Sequence, residues 1–430
     1  MTKHKKALVL GGGGAKGSYQ IGVFKALRKM NIKFDIVTGS SIGSINGALY
    51  AQGDYFLAKR MWKTLKTDDL FDVPVGETLN LEDYKTLAKE IVSNGGMSFD
   101  KANVYLNKVI DEKRIRKSKV DYGLVTVSLT KQLQKCLTKE QIPYGKLTDY
   151  IAASCICYPF IETKKINGEN FIDGGFYDNL PINLAIDMGA TEILAIDLNA
   201  IGFIKPPKDK KLKIDIIKMP DDKMFTLAFS KKQAEKNFRL GYNDTMKHYG
   251  KLDGKLYTFK KGHLESNYKY IEKNYLSLIK EILLDKNNKT ILEIFKIGKF
   301  KKLFNAVSNK KTIKEEVNEV IDYLGEILEI KLDKIYDINS FNRKIIRKID
   351  ELSYIKINKN LKGKFLISYI YNRYKEQELK NIKKELYNIA LLFSKEFLSV
   401  LYLVCLTEKY DFTYKTEELY NEFLKLFNMR

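Results

Sequence analysis

The sequence predicts an α/β protein in which a three-layer α/β/α sheet domain of about residues 1–250 is followed by a mostly helical region of about residues 260–430. Two observations support this division. In the first half, short apolar runs alternate with amphipathic segments, as they do in a sheet covered by helices on both faces. All seven prolines lie at or before Pro220, and the proline-free remainder is rich in leucine, isoleucine and lysine, a composition that favours helix.

The individual elements follow from the same patterns. Short apolar runs predict five strands, at Lys6–Leu10, Phe34–Thr38, Tyr122–Leu129, Asn170–Ile172 and Glu192–Leu198. A helix is predicted at Ser18–Met30, another directly after the second strand, and a loop at Ile204–Pro220. Apolar residues at helical spacing predict two further helices, within Lys311–Ile330 and Asn381–Leu406.

The chain is strongly basic, with a net charge of +22. Such a surface suits anionic partners such as phospholipid headgroups, although no dense basic block appears and a lysine-rich composition alone would explain the charge. Glycines from Gly11 onward interrupt the first apolar run before it reaches signal-peptide length, and Phe397–Leu406 is too short to cross a bilayer. We therefore expect a cytoplasmic protein with peripheral contact to anionic membrane and no nucleic-acid partner; the oligomeric state is left open.

The turn after the second strand carries the pattern G-x-S-x-G, as Gly39-Ser40-Ser41-Ile42-Gly43. Glycines on either side of the serine let strand and helix approach closely while the serine side chain stays exposed at a sharp turn. The helix that follows would add partial positive charge near the serine. This context predicts a nucleophile elbow with Ser41 as nucleophile, and the alternative is a structural glycine turn.

A second glycine-rich turn, Gly11–Gly17, also follows a strand and opens a helix. Its glycines fit a dinucleotide fingerprint, but the acidic residue expected near the end of the next strand is absent, and no Gly-Lys-Ser/Thr of a Walker loop is present. Consecutive glycine amides can instead point at a developing oxyanion. We expect Gly12, Gly13 and Gly14 to form an oxyanion hole. Lys16 would then be either a contact for a lipid phosphate or a solvated lysine.

An acidic residue beside two glycines, Asp173-Gly174-Gly175, follows the strand Asn170–Ile172. By itself this pattern is most often an ordinary turn. A carboxylate can serve as a base to a serine if it lies within hydrogen-bond reach of the hydroxyl. A Ser–His–Asp triad would need one of the three histidines, and the order Ser41, Asp173, then His248 or His263 would fit an α/β-hydrolase. Neither histidine has a strand-to-loop context, so surface positions are favoured.

These three motifs in this order resemble the patatin-like phospholipase family. The loop Gly12–Gly17 is similar to that family's oxyanion-hole motif, Gly39–Gly43 to its elbow, and Asp173–Gly175 to its aspartate motif. Lesser features agree, namely Ala152-Ala153-Ser154 before Pro159, Asp178-Asn179-Leu180-Pro181 and Gly189-Ala190. Cys155-Ile156-Cys157-Tyr158 departs from the smaller residues expected there, and nothing beyond about residue 260 resembles the family.

The resemblance implies a patatin-like sheet, a dyad of Ser41 and Asp173, no metal or other cofactor, and hydrolysis of acyl esters of phospholipids or other lipids. The motif glycines would then be Gly17, Gly39, Gly43, Gly174 and Gly175 beside the oxyanion loop. Two alternatives remain at this point. One is an α/β-hydrolase with a histidine triad, which would place the oxyanion loop much further from the elbow. The other is a catalytically inactive module that binds lipid or protein through the basic helical half.

Overall fold

The computed structural model describes residues 4–71, 86, 89–221, 228–271, 274, 310–352, 362–375 and 393–409. The chain divides into two compact units, residues 1–248 and residues 249–430. The fold class predicted from the sequence is confirmed, because the first unit is an α/β sheet with flanking helices and the second is largely helical. Among the described residues, no helix is long and apolar enough to span a membrane.

A mixed sheet of eight described strands forms the centre of the first unit. The strands are β1 (Lys6–Leu10), β2 (Ile36–Ser40), β3 (Asp121–Ser128), β4 (Leu133–Thr138), β5 (Lys164–Ile166), β6 (Glu169–Asp173), β7 (Glu192–Asp197) and β8 (Lys213–Lys218). Their order is β5-β6-β3-β2-β1-β7-β8, with β4 paired to β3 outside this path. Strands β3, β2, β1, β7 and β8 pair with their neighbours in parallel. Strands β4 and β6 pair with β3, and β5 with β6, in antiparallel fashion.

Helices cover both faces of this sheet because its central strands are apolar on both sides. The described helices of the unit are α1 (Ser18–Lys29), α2 (Ile42–Gln52), α3 (Tyr55–Thr64), α4 (Asp100–Val109), α5 (Glu112–Lys117), α6 (Leu147–Ser154), α7 (Ile182–Asp187) and α8 (Lys231–His248). Helix α7 packs against Ala7, Val9 and Ile36. Helix α2 lies near Leu10 and Val37, which point to the other face. The result is a three-layer arrangement with the central strands buried.

One segment differs from the prediction: the loop expected at Ile204–Pro220 contains strand β8. The error has a physical reason. Strand β8 pairs with β7 alone at an edge of the sheet, and Lys213 and Lys218 at its ends are exposed. An edge strand carries polar and charged residues that blunt further pairing, so its sequence lacks the continuous apolar run by which buried strands are found.

The second unit holds helices α9 (Lys310–Ile327), α10 (Ile338–Leu352), α11 (Lys364–Lys375) and α12 (Ser394–Lys409). A small sheet of β9 (Leu252–Asp253), β10 (Thr258–Lys260) and β11 (Ile335–Tyr336), which the sequence did not indicate, accompanies them. The apolar residues of the second unit form one core that includes Tyr257, Phe341 and Tyr402. The first part of the predicted helix Asn381–Leu406 lies outside the described residues. So does the run Lys296–Phe304, in which lysines are intermixed with Phe300, Leu303 and Phe304, a pattern that would suit contact with an anionic membrane.

Candidate active site

Two strand ends meet on one edge of β3. Strand β2 runs parallel to β3 and ends with Ser40 opposite Val125. Strand β6 runs antiparallel to β3 and ends with Asp173 opposite Thr126. Since β4 occupies the other edge of β3 along Gly123–Ser128, β2 and β6 must share the remaining edge and point at each other. Ser41 directly follows β2 and Asp173 is the last residue of β6, so the strand pairing brings these two residues together.

Ser41 occupies a sharp turn between β2 and α2, with φ 52° and ψ −128°. Such a conformation is costly for a residue with a side chain and persists only where the surroundings hold it. Both flanking glycines are required by close approach, because a Cβ at Gly39 would lie 2.2 Å from the Gly43 carbonyl oxygen and one at Gly43 would lie 2.1 Å from that of Leu10. This is the strand–turn–helix geometry that a nucleophile elbow needs.

Asp173 is buried, and its carboxylate faces the Ser41 hydroxyl. Burial raises the pKa of Asp173 to about 6, and hydrogen bonds from the Ser41 hydroxyl and the Gly175 N–H limit this rise. The Gly175 N–H donates to Oδ1 of Asp173 at 2.7 Å, which fixes the orientation of the carboxylate. A carboxylate with this pKa is ionised at neutral pH and is basic enough to accept a proton in a reaction.

The glycine-rich loop after β1 packs directly against the serine turn. A Cβ at Gly12 would lie 2.9 Å from the Cβ of Ser41, so only glycine fits there. The Gly12 N–H donates to the carbonyl of Asn179 at 3.0 Å, which excludes it as a donor to a ligand. In the part of the chain that the structure describes, no protein acceptor is recorded for the N–H groups of Gly13 and Gly14. Of the three amides expected to form the oxyanion hole, those of Gly13 and Gly14 therefore remain as candidate donors and that of Gly12 does not.

The remaining motif glycines also mark close approaches. A Cβ at Gly17 would lie 2.6 Å from a side-chain carbon of Ile42, and one at Gly174 would lie 2.2 Å from the Val125 carbonyl oxygen. Gly17 thus lets the glycine loop lie against α2, and Gly174 lets the segment after Asp173 cross the edge of β3. Each of these positions holds one of the three motifs against its neighbours.

Lys16 differs from both sequence-based interpretations. Its side chain is buried, and Nζ donates to the carbonyl of Asn199 at 3.1 Å. The lysine is therefore not solvated, and its ammonium group ties the glycine loop to the segment after β7 instead of facing an open cleft. The structure gives no support to a contact between Lys16 and a lipid phosphate.

An apolar cavity opens beside Ser41. The space enclosed between its walls is about 610 Å³, a volume that includes open solvent at the mouth. Gly14, Ser41 and Cys155 are among the residues that line it. Most of the other lining residues are aliphatic or aromatic, namely Ile42, Ile45, Met61, Leu65, Leu70, Phe71, Phe99, Ala102, Tyr105, Leu106, Ile161 and Phe229. A hydrocarbon chain whose polar end lies at Ser41 would match this lining.

Ser154 and Asn179 belong to the site, although sequence analysis assigned no individual role to either. The Ser154 hydroxyl accepts the Ser41 N–H at 2.9 Å. The Asn179 carbonyl accepts the Gly12 N–H, and its amide oxygen is the atom that a Cβ at Gly12 would meet first. Both residues lie in segments that carry the family resemblance, and that position was the only signal available from the sequence.

Cys155 also lines the cavity, and its thiol lies 3.9 Å from the Ser44 hydroxyl. Burial is the main cause that raises the pKa of Cys155 well above its ordinary value, so the side chain is a neutral thiol and a poor nucleophile. Within the described residues, no group of three or more His, Cys, Asp or Glu side chains could hold a metal ion.

The two histidines of the first unit, His4 and His248, lie away from the serine turn. His4 precedes β1 and contacts Thr191 at the opposite end of the sheet from Ser41, with Nδ1 and Oγ1 2.8 Å apart. His248 lies at the end of α8, 3.7 Å from the carboxylate of Asp215. His263 belongs to the second unit and lies 2.7 Å from the carboxylate of Asp337. Within the first unit, the structure thus brings Asp173, and neither His4 nor His248, to Ser41.

The family model described as patatin-like phospholipase matches residues 8–186, which include the glycine loop, the serine turn and Asp173. Residues 8–186 form a patatin-like domain. The patatin-like domain contains the glycine loop, the elbow and the aspartate motif on which the sequence resemblance mainly depended, and that resemblance is therefore confirmed. Residues beyond 186 are not part of this match.

Curated relatives match about half of the chain. The chain is 33% identical over 205 residues to the human patatin-like phospholipase domain-containing protein 6 and 28% identical over 204 residues to the corresponding protein 7 of Rattus norvegicus. These matches cover 46% of this chain but 14% of the relatives' own length. The solved structure of VipD from Legionella pneumophila covers 97% of this chain and 93% of its own, with 14% identity and a TM-score of 0.37, a distant likeness.

Proposed function

We propose that this chain hydrolyses acyl esters of lipids, with Ser41 as nucleophile and Asp173 as its base. One observation carries the proposal: the Ser41 hydroxyl, held in a strained turn, contacts a buried carboxylate whose pKa is raised to about 6, beside an apolar cavity. A nucleophile within reach of a base, with donors for an oxyanion nearby, is the minimum needed for acyl transfer. The match of residues 8–186 to the patatin-like family supports the same conclusion.

The reaction would proceed in two steps. Asp173 accepts the proton of the Ser41 hydroxyl as the oxygen attacks the ester carbonyl carbon, and the N–H groups of Gly13 and Gly14 stabilise the negative oxygen of the tetrahedral intermediate. Protonated Asp173 then gives its proton to the departing alcohol, which leaves an acyl-serine. In the second step Asp173 accepts a proton from water, the hydroxide oxygen attacks the acyl carbon, and Ser41 recovers its proton as the acid departs.

The cavity indicates which side of the ester lies inside. Its lining is apolar and would take up a hydrocarbon chain, whereas a charged headgroup would lose its hydration there without compensation. The acyl chain is therefore assigned to the cavity, and the alcohol, which in a phospholipid carries the headgroup, to the open side of Ser41. This arrangement fits a phospholipase A or an esterase of other acylglycerols equally well.

Hydrolysis of a short-chain p-nitrophenyl ester by the full chain tests the proposal. Ser41→Ala and Asp173→Asn should each lower kcat by a factor of about a thousand or more, and the double variant should be little worse than either single variant, because the two groups act as a unit. Asp178→Asn is the matched control, since Asp178 also has a pKa raised to about 6 by burial and does not contact Ser41. Near-normal turnover by Asp173→Asn would contradict the dyad.

Two alternatives give different outcomes in the same assay. A histidine triad predicts a loss of about a thousandfold from replacing one histidine, and an inactive binding module predicts no hydrolysis by the wild-type chain. The positions of His4 and His248, and the pairing of His263 with Asp337, argue against the first. The contact between Ser41 and Asp173 argues against the second.

A further inference from the structure

Four large apolar side chains are exposed in the segments that follow β6 and β7. In the apolar loop, which we define as residues 201–204, Ile201 is fully exposed, Phe203 is 67% exposed and Ile204 is 48% exposed. Phe176, three residues after Asp173, is 46% exposed. Single exposed apolar residues are ordinary on protein surfaces, but a group of them on one loop marks an interaction site.

The apolar loop is attached to both sides of the candidate active site. The Phe203 N–H donates to the carbonyl of Gly175 at 3.0 Å, so the loop lies against the segment that follows Asp173. The Phe203 carbonyl accepts the N–H of Asn179, whose own carbonyl accepts the Gly12 N–H. One residue, Asn179, therefore links the apolar loop to the glycine loop beside Ser41. Whatever the apolar loop contacts is held next to the reacting groups.

The residues that follow the apolar loop are basic. Residues 205–213 contain five lysines, at positions 205, 208, 210, 211 and 213, against the single acidic residue Asp209. Lys210 and Lys211 are exposed, and among the described residues no carboxylate pairs with either. Exposed apolar side chains beside unpaired lysines are the combination that favours the boundary between acyl chains and anionic headgroups.

We propose that the apolar loop inserts Ile201, Phe203 and Ile204 into the surface of a bilayer that contains anionic lipid, and so places the mouth of the Ser41 cavity at the membrane. The proposal rests on the proposed function for the reason why the chain would bind a membrane, since a lipid hydrolase takes its substrate from a bilayer. Transfer of apolar side chains out of water lowers the free energy of the system. The lysines add an electrostatic attraction to negative headgroups, and salt screens this attraction. Charge complementarity selects an anionic bilayer as the occupant of this surface.

Tryptophan fluorescence can locate the inserted residues directly. The chain has one tryptophan, Trp62, which is buried and donates to Asn46, so its emission provides a constant background. In a Ser41→Ala background, which prevents hydrolysis of the vesicles, Phe203→Trp should shift its emission to the blue and be quenched by brominated acyl chains when vesicles of phosphatidylcholine and phosphatidylglycerol are added. Phe56→Trp is the matched control, because Phe56 is also 67% exposed but lies on α3 outside this loop.

Vesicle sedimentation provides the second measurement. The double variant Ile201→Ser/Phe203→Ser should bind the same vesicles roughly tenfold or more weakly than the parent. An absent response from Phe203→Trp, an equal response from Phe56→Trp, or undiminished vesicle binding by the double variant would each overturn the proposal. Failure of the proposed function would instead appear as no hydrolysis of a soluble ester by the wild-type chain, a result that leaves the binding measurements valid.

Discussion

The Ser154 hydroxyl accepts the backbone N–H of Ser41 at 2.9 Å and donates to the carbonyl of Val125 at 2.7 Å. One buried side chain thus fastens the serine turn to the edge of β3 where Asp173 also ends. Because the Ser41 N–H is already bonded, it is not available to an oxyanion, and the donors must come from the glycine loop. Ser154 is in this sense a positioning residue for the proposed nucleophile.

Ser154→Ala should lower kcat for a soluble ester roughly tenfold with little change in KM, because the Ser41 N–H loses its partner and the turn is no longer held at one orientation to Asp173. Leaving a buried donor unpaired should also lower the free energy of unfolding by about 1–3 kcal/mol. Thr38→Val is the matched control, since it removes a buried hydroxyl that donates to the Pro181 carbonyl at 3.0 Å. An equal loss of kcat in both variants would mean general destabilisation and not loss of positioning.

The pH dependence of hydrolysis should follow Asp173. Burial raises the pKa of Asp173 to about 6, and only the ionised carboxylate can accept the Ser41 proton. We expect kcat/KM to rise with pH through about 6 and to level off above it. Asp178 has a similarly raised pKa, so Asp178→Asn should keep the midpoint. A midpoint below pH 5, or one that moves in the Asp178→Asn variant, would exclude Asp173 as the titrating group.

The raised pKa of Asp173 also predicts that stability depends on pH, in the direction opposite to that of activity. A carboxyl with a pKa of about 6 in the folded chain and 3.8 when unfolded binds more protons when folded between these values. Its contribution to stability is therefore greatest at low pH and is lost as pH rises to about 6, by roughly 2–3 kcal/mol. Asp173→Asn cannot ionise and should raise the melting temperature relative to wild type at pH 8 more than at pH 4.5. Equal shifts at both pH values would contradict this account.

The histidines should be dispensable for the chemical step. His4→Gln, His248→Gln and His263→Gln combined should change kcat for the soluble ester by less than about threefold, because His4 and His248 lie away from Ser41 and His263 pairs with Asp337. Melting curves of the triple variant separate loss of fold from loss of chemistry, since His263 pairs with Asp337 in the second unit. A drop of about a thousandfold would restore the triad as the mechanism.

Local sequence patterns predicted the strands and turns of the site but not that they lie next to one another. The strands before Ser41 and before Asp173 were both predicted from short apolar runs, and the glycines around them indicated sharp turns. That β2 and β6 share one edge of β3 depends on pairings with Val125 and Thr126, far away in sequence. Such pairings leave no periodic signal in a single sequence, so only the family resemblance connected the two motifs.

Side-chain roles were harder to predict where burial decides them. Lys16 was expected to face a lipid phosphate or solvent, yet its ammonium group is buried against the Asn199 carbonyl. The apolar loop was likewise missed, because Ile201 and Phe203 could equally have been core residues from their types alone. Exposure depends on how the segment after β7 is anchored to Gly175 and Asn179, and that anchoring uses backbone groups that every residue has.

The cavity beside Ser41 should set the acyl-chain length that the protein accepts. Ala102 on α4 is buried and lines the cavity, so Ala102→Leu would place three additional carbons in its space. We expect the ratio of activity on a twelve-carbon p-nitrophenyl ester to that on a four-carbon ester to fall about tenfold or more, because the substitution removes cavity volume and a long chain needs more of that volume than a short one. Overpacking should cost about 1–3 kcal/mol of stability.

Ala58→Leu is the control for that overpacking. Ala58 is a buried alanine on α3 that lines a different cavity, beside Phe34 and Tyr50, and does not line the cavity at Ser41. Its substitution should cost similar stability and leave the chain-length ratio within about twofold of wild type. If Ala102→Leu left the ratio unchanged while Ala58→Leu altered it, the acyl chain would have to lie elsewhere than in the cavity that Ser41 lines.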